Sequence, residues 1–314
     1  EISLGLVGSE MCIRDRSTIN KSLLIGSLSY FLPFALVFSV SYFYFGYSLI
    51  TCLVLSLALS TTSIALVYAV LREMVPSGND LFEIVLGSAM IADVLSMLTL
   101  TFLIMEFTVS IIFYMIIILI IILISPFIFK IMAEKYGGHP PEVELRFILL
   151  LLLLLPFLAE RVYVSEAVFA FFLGVVFSKL IEDQEEIERK LKTIVFGFFA
   201  PTFFFKAGLL IDLSYMKFES IILLVFFAII AYVGKFLGAC IPIRILLKDK
   251  VISRISGLIF NFRLTFGIVA AVFGLETGIL TEELYGVIMF IILSSSIISS
   301  IALRKFPYLK EETI

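Results

Sequence analysis

Tryptophan is absent from this 314-residue chain, histidine occurs once and cysteine three times. One histidine cannot build the multi-His centre of a metalloprotease, and His139 sits in the turn-rich segment YGGHPPE, read either as a plain loop residue or as a pH sensor. Cys12, Cys52 and Cys240 are scattered, without the close pairs of a zinc or redox site, and read as small packing residues. Charge is scarce too: 16% of residues are Asp, Glu, Lys or Arg, against about 25% in a globular domain. A net charge of -3 offers no basic surface for nucleic acid. What remains is 61% hydrophobic, with 33 Phe and a mean hydropathy of +1.15. No aqueous core of this length hides that much apolar surface, so the solvent for most of the chain is lipid.

Runs such as IILIIILIS and LLLLLLL show no alternation, which predicts an all-α membrane protein rather than a barrel. A span needs about 20 apolar residues. Cutting at polar and Gly/Pro breaks predicts ten spans, near 21–46, 48–71, 81–105, 109–132, 145–160, 164–181, 194–211, 219–244, 255–276 and 283–303. The fifth and sixth share one apolar run broken at Glu160 and Arg161. Sixteen loop lysines and arginines then fall on one side and only Arg161 and Lys217 on the other. Cytoplasmic loops retain positive charge, so this predicts a multi-pass protein with both visible ends cytoplasmic. Residues 1–16, EISLGLVGSEMCIRDR, resemble a translated sequencing adaptor; native sequence is expected from about Ser17, with upstream protein missing. Residues 17–304 form the expected membrane domain, and 305–314 a short tail.

Asp93 alone among the six aspartates lies mid-span, joined there by Lys206, Lys235 and Arg263. A charge at the bilayer centre costs about 2.5–3.5 kcal/mol, so such groups face a cavity or a partner. The plain alternative for Asp93 is a protonated carboxyl against Ser96, and for Lys235 a structural role. Ser60, Thr61, Thr62 and Ser63 interrupt the second span with hydroxyls that compete for backbone hydrogen bonds, and Asn261, Phe262, Arg263, Leu264 and Thr265 interrupt the ninth. Such hydroxyls also glue helices together. Spans one to three and eight to ten match in opposite orientation, which predicts an inverted-repeat transporter with two crossed discontinuous helices. The core blocks are 20–106 and 219–303, and 107–218 form a scaffold.

The segments ALSTTSIALVYAVLREM, GSAMIADVLSMLTL, APTFFFKAGLLIDLS, AYVGKFLG and NFRLTFGIVAAVFGLETGIL resemble, in order, the landmarks of the monovalent cation:proton antiporter-2 family. That family includes sodium/proton exchangers and the cores of potassium efflux systems. The resemblance makes Asp93 the ion-binding carboxylate, and transiently the metal ligand, with Thr62 and its neighbours in the unwound crossing helix. It makes Lys235 the basic residue of the later helix and Arg263 the arginine of the Pro-Arg-Gly-Glu-like segment. Ala92 replaces the first acid of the family's pair, and Leu264 and Thr265 replace the Gly-Glu after Arg263. Lys206 falls where a neutral residue is expected, within possible reach of Glu160.

A lone desolvated carboxylate holds a proton near neutral pH and yields it to a cation. The expectation is therefore exchange of Na⁺ (or K⁺ or Li⁺) for H⁺ by alternating access, electroneutral, with no cofactor, in the plasma membrane of a prokaryote. A homodimer is implied by the resemblance. Glu160, Glu166 and Glu276 lie at span ends, and IEDQEEIERKLK reads as an amphipathic connector. A potassium/proton efflux antiporter, or a channel or sensor on the same scaffold, stays open. An intramembrane aspartyl protease would need a second membrane aspartate, so an enzyme is not expected.

Overall fold

The computed structural model describes residues 16–74, 80–104, 109–136, 143–160, 185–212 and 217–306, with Ser214 and scattered positions between 169 and 177. Every regular element among them is helical: α1 (Arg16–Phe43), α2 (Leu49–Ser60), α3 (Ile64–Met74), α4 (Asp80–Ile104), α5 (Val109–Tyr136), α6 (Val143–Glu160), α7 (Glu185–Ile194), a π-helical turn (Val195–Phe199), α8 (Ala200–Leu209), α9 (Phe218–Leu247), α10 (Lys250–Ile259), α11 (Leu264–Glu276) and α12 (Glu282–Leu303). Among the described residues, six stretches are long and apolar enough to cross a membrane: Thr18–Phe43, Leu49–Met74, Asp80–Leu103, Phe218–Leu247, Lys250–Glu276 and Glu282–Leu303. The chain is thus an integral, multi-pass membrane protein. The expected fourth and fifth spans correspond to α5 and α6, and the seventh to the π turn plus α8. Most of the sixth, with Arg161 and Glu166, lies outside the described residues, as do Cys12 and His139.

Burial follows the lipid solvent. Phe102, Phe127, Phe218 and Ile245 point outward, while Ser29, Ser56, Ser88, Ser96 and Ser295 are buried. Helices in hydrocarbon associate through small residues and backbone proximity, because lipid tails are as apolar as leucine. A β-carbon on Gly26 of α1 would lie 2.5 Å from the Ser88 carbonyl oxygen of α4, and one on Gly267 of α11 would lie 2.8 Å from the Ala58 carbonyl oxygen of α2. Only glycine admits those approaches.

The chain forms two compact units, one of residues 104–206 and one of 13–103 with 207–314. In the first, Ile118, Ile122 and Phe129 of α5 pack with Ile148, Leu151 and Leu155 of α6 and Leu191 of α7. On α7 Lys190 pairs with Glu186 at 2.6 Å and holds that exposed carboxyl below its ordinary range. In the second unit, α2 with α3 and α10 with α11 each form one spanning stretch broken near its middle. α10 starts at Lys250, five residues before the expected ninth span. Lys248 in the left-handed region (φ 55°) ends α9, and the Asp249 carboxylate then accepts the Val251 and Ile252 N–H groups at 2.6 and 2.9 Å.

Gly26→Ala and Gly267→Ala are each expected to lower stability by about 1–3 kcal/mol, because backbone must move to admit the methyl group. Unfolding of the detergent-solubilised protein measures this, and unchanged melting would contradict the close approaches.

Candidate ion-binding site

At the first break the hydroxyl run acts on its own backbone. Ser60 Oγ donates to the Leu57 carbonyl at 3.2 Å and Thr61 Oγ1 to the Ala58 carbonyl at 3.3 Å. These side chains compete for acceptors the helix would use, and Thr61 turns to an extended conformation (φ -65°, ψ 164°). Helix resumes at Ile64. Ser63 N–H, freed from α2, donates to the Phe262 carbonyl of the second break at 2.6 Å. The two interruptions are therefore bonded to each other. Thr62 Oγ1 is buried and has no hydrogen-bond partner among the described residues.

The second break tightens before it opens. Asn261 N–H donates to the Leu258 carbonyl and Phe262 N–H to the Ile259 carbonyl, at 3.1 and 3.2 Å, a 3₁₀-like end to α10. Arg263, fully buried, leaves helical geometry (φ -119°, ψ 19°) and precedes α11. Its Nη2 donates to the Ala231 carbonyl at 2.6 Å and to Asn261 Oδ1 at 2.9 Å. Its guanidinium lies 5.4 Å from the ring centre of Tyr232. Arg263 Nε and Nη1 are buried with no hydrogen-bond partner among the described residues.

Lys235 completes the arrangement. It is fully buried on the unbroken α9, and its Nζ donates to the Ser60 carbonyl at 2.5 Å. That carbonyl is at the C-terminal, partly negative end of α2, where a cation is favoured. Ala231, Tyr232 and Lys235 share about one turn of α9, so one turn holds both breaks. Asp93, near the middle of α4, is 4% exposed. Ser96 Oγ donates to the Ala92 carbonyl at 2.8 Å, so its proton is directed at backbone rather than at Asp93.

The structure brings Ser60, Thr61, Thr62, Ser63, Asp93, Lys235, Asn261 and Arg263 into one unit. Asn261 serves Arg263 and donates its own amide to the Gly257 carbonyl at 3.0 Å. Thr265, where an acid was expected, donates to Ser63 Oγ at 3.4 Å from the first turn of α11. Lys206 is exposed on α8, and the expected contact with Glu160 falls on a side chain outside those described. Glu276 closes α11 at its far end. The sequence reading missed Tyr30 and Tyr232. A tyrosine in the middle of an apolar span needs a partner for its hydroxyl, and that was the available signal.

The model of the sodium/hydrogen exchanger transmembrane family matches residues 6–306. The protein named "Probable Na(+)/H(+) antiporter 3" of Methanocaldococcus jannaschii is 26% identical over 275 residues, covering 83% of this chain and 70% of that protein. The Na⁺/H⁺ antiporter of Enterococcus hirae is 22% identical over 265 residues, covering 79% and 67%.

Asn261→Ala leaves the buried guanidinium with one acceptor fewer and is expected to cost about 1–3 kcal/mol. Asn261→Asp keeps an acceptor and adds charge pairing, so it melts above Asn261→Ala. Chemical unfolding in detergent compares the two, and an Asn261→Ala protein as stable as the parent would contradict the assignment.

Proposed function

The chain belongs to the sodium/hydrogen exchanger transmembrane family, and on that premise we propose that it exchanges a monovalent cation, Na⁺ first, for protons at Asp93. The observation that carries this reading is a buried Thr62 hydroxyl at a helix break, without a hydrogen-bond partner among the described residues. Lys235 sits on that break, its Nζ on the Ser60 carbonyl, and Asp93 is buried in the same unit. The cation is held by the Asp93 carboxylate, the Thr62 hydroxyl and carbonyls near Thr61 and Ser63. Among the described residues no three His, Cys, Asp or Glu side chains converge. One carboxylate plus neutral oxygens, beside two buried cations, suits a singly charged ion better than a divalent one, which takes several anionic oxygens.

Proton and cation compete because both neutralise the same carboxylate. With Asp93 as the single exchanging group, the stoichiometry is one cation for one proton. Blocks 20–106 and 219–303, related as an inverted repeat, move together against the remaining helices and expose Asp93 to each side in turn. The lysine and arginine asymmetry of the loops supports a cytoplasmic C-terminus in a prokaryotic plasma membrane. The resemblance of the ordered landmarks supports a homodimer and no resident cofactor.

In liposomes carrying a preset proton gradient, Na⁺ is expected to release protons, and Asp93→Asn to abolish the release at every pH. Thr62→Ala is expected to raise the apparent KM about three- to tenfold, the worth of one oxygen ligand to a charge. Clamping the voltage at different values leaves the rate unchanged if exchange is electroneutral. Exchange retained by Asp93→Asn would refute the reading, and a voltage-dependent rate would refute the stoichiometry.

A further inference from the structure

Among the residues of the two breaks, 60–63 and 260–265, every one is buried or half-buried except Thr265, which is exposed. Ser60, Thr61, Thr62, Ser63 and Arg263 are at most 1% exposed, so the polar groups of the breaks are otherwise shut away. A threonine inside a helix satisfies its hydroxyl on the carbonyl four residues back, as Thr99 does on Leu95, Thr101 on Met97 and Thr202 on Phe198. Thr265 has no helical carbonyl in that place, because α11 begins only at Leu264. Its hydroxyl donates instead to Ser63 Oγ of the other break, at 3.4 Å. That is longer than an ordinary O–H···O bond of about 2.5–3.0 Å, so the pair is weakly held. The Ser63 backbone is fixed by its N–H on the Phe262 carbonyl at 2.6 Å. Oxygens hold Ca²⁺, an ion of nearly the radius of Na⁺, at about 2.3–2.6 Å, and two of them at right angles about such an ion stand about 3.3–3.7 Å apart. The two hydroxyls are therefore already spaced to share one cation of that size.

We propose that the Thr265 and Ser63 hydroxyls form an entry subsite, where a monovalent cation arriving with its water exchanges water ligands for these two oxygens before passing to the Thr62 hydroxyl. Thr62 is the residue next to Ser63, and its hydroxyl is buried without a partner among the described residues. The proposal deepens the reading of exchange at Asp93 and rests on it. Exposure of a hydroxyl within a span then means an aqueous approach, since hydrocarbon offers it no partner. The subsite passes the ion on rather than storing it: both ligands are neutral, and the start of α11 carries partial positive charge. Thr265 thus governs how readily the cation enters, while the competition with the proton stays at Asp93.

The test measures KM and maximal rate for Na⁺ with the whole chain in liposomes, together with melting in detergent. Thr265→Val keeps the shape of the side chain and removes the hydroxyl. It is expected to raise KM about three- to tenfold with melting and maximal rate little changed, as loss of one oxygen contact at an exposed position would. Thr265→Ser returns the hydroxyl and is expected to bring KM back, whereas a role in shape alone would be kept by valine. Access is read separately, in a protein with Cys12, Cys52 and Cys240 replaced by alanine. There Thr265→Cys is expected to react with a membrane-impermeant thiol reagent from at least one side of membrane vesicles. Na⁺, compared with choline, is expected to slow that reaction about threefold when it fills two-thirds of the subsites. An unchanged KM in Thr265→Val, labelling from neither side, or labelling indifferent to Na⁺ overturns the entry subsite alone, provided that Asp93→Asn is inactive. An Asp93→Asn protein that still exchanges overturns the underlying reading and the subsite with it.

Discussion

A helix interrupted within a membrane leaves backbone groups that only protein can satisfy, and two such interruptions bonded to each other organise the unit that holds the candidate site. Ser63 N–H bonds the Phe262 carbonyl from one break to the other, and Lys235 takes the Ser60 carbonyl. Each unmet backbone group in hydrocarbon costs several kcal/mol. The breaks therefore persist only because neighbours are placed to answer them, and those neighbours are the charged and hydroxyl residues that an apolar chain otherwise avoids. Gly267 serves the same end by letting α11 approach the last turn of α2.

Charge follows from the breaks. α2 and α10 end at the crossing with their partly negative carbonyl ends, and α3 and α11 begin there with partly positive N–H ends. Lys235 answers the end of α2 directly, and Arg263 is tied to the end of α10 through Asn261. Two buried cations and one buried carboxylate leave the site with surplus positive charge until a further balance is struck.

Much of this was legible in the residues, and what was not has identifiable physical causes. The run Ser60 to Ser63 located the first break because hydroxyls compete locally for carbonyls, and Ser60 and Thr61 do bond those of Leu57 and Ala58. The second break was placed at Asn261 to Thr265, but Thr265 already belongs to α11 and the turn begins at Phe260. The start of α10 was missed because Ser253 and Arg254 interrupt its apolar residues, while a capping aspartate, which hydropathy does not weigh, starts the helix earlier. Arg263 lacks the adjacent acid that the family resemblance implies. Its actual acceptors are the Ala231 backbone carbonyl, 32 residues away, and the Asn261 side chain, two residues before it. The hydroxyls of Tyr30 and Tyr232 meet Thr99 and Ser294 on other helices, and those pairings are fixed by packing rather than by local pattern.

The central claim is competition for one carboxylate, and cation binding measured against pH tests it most directly. In weakly buffered detergent solution, titration with Na⁺ should release one proton per cation bound on the acid side of the Asp93 titration. The apparent Kd should rise about tenfold for each unit that the pH falls there, because one proton and one cation exclude each other. A Kd independent of pH, with no proton released, would contradict the account.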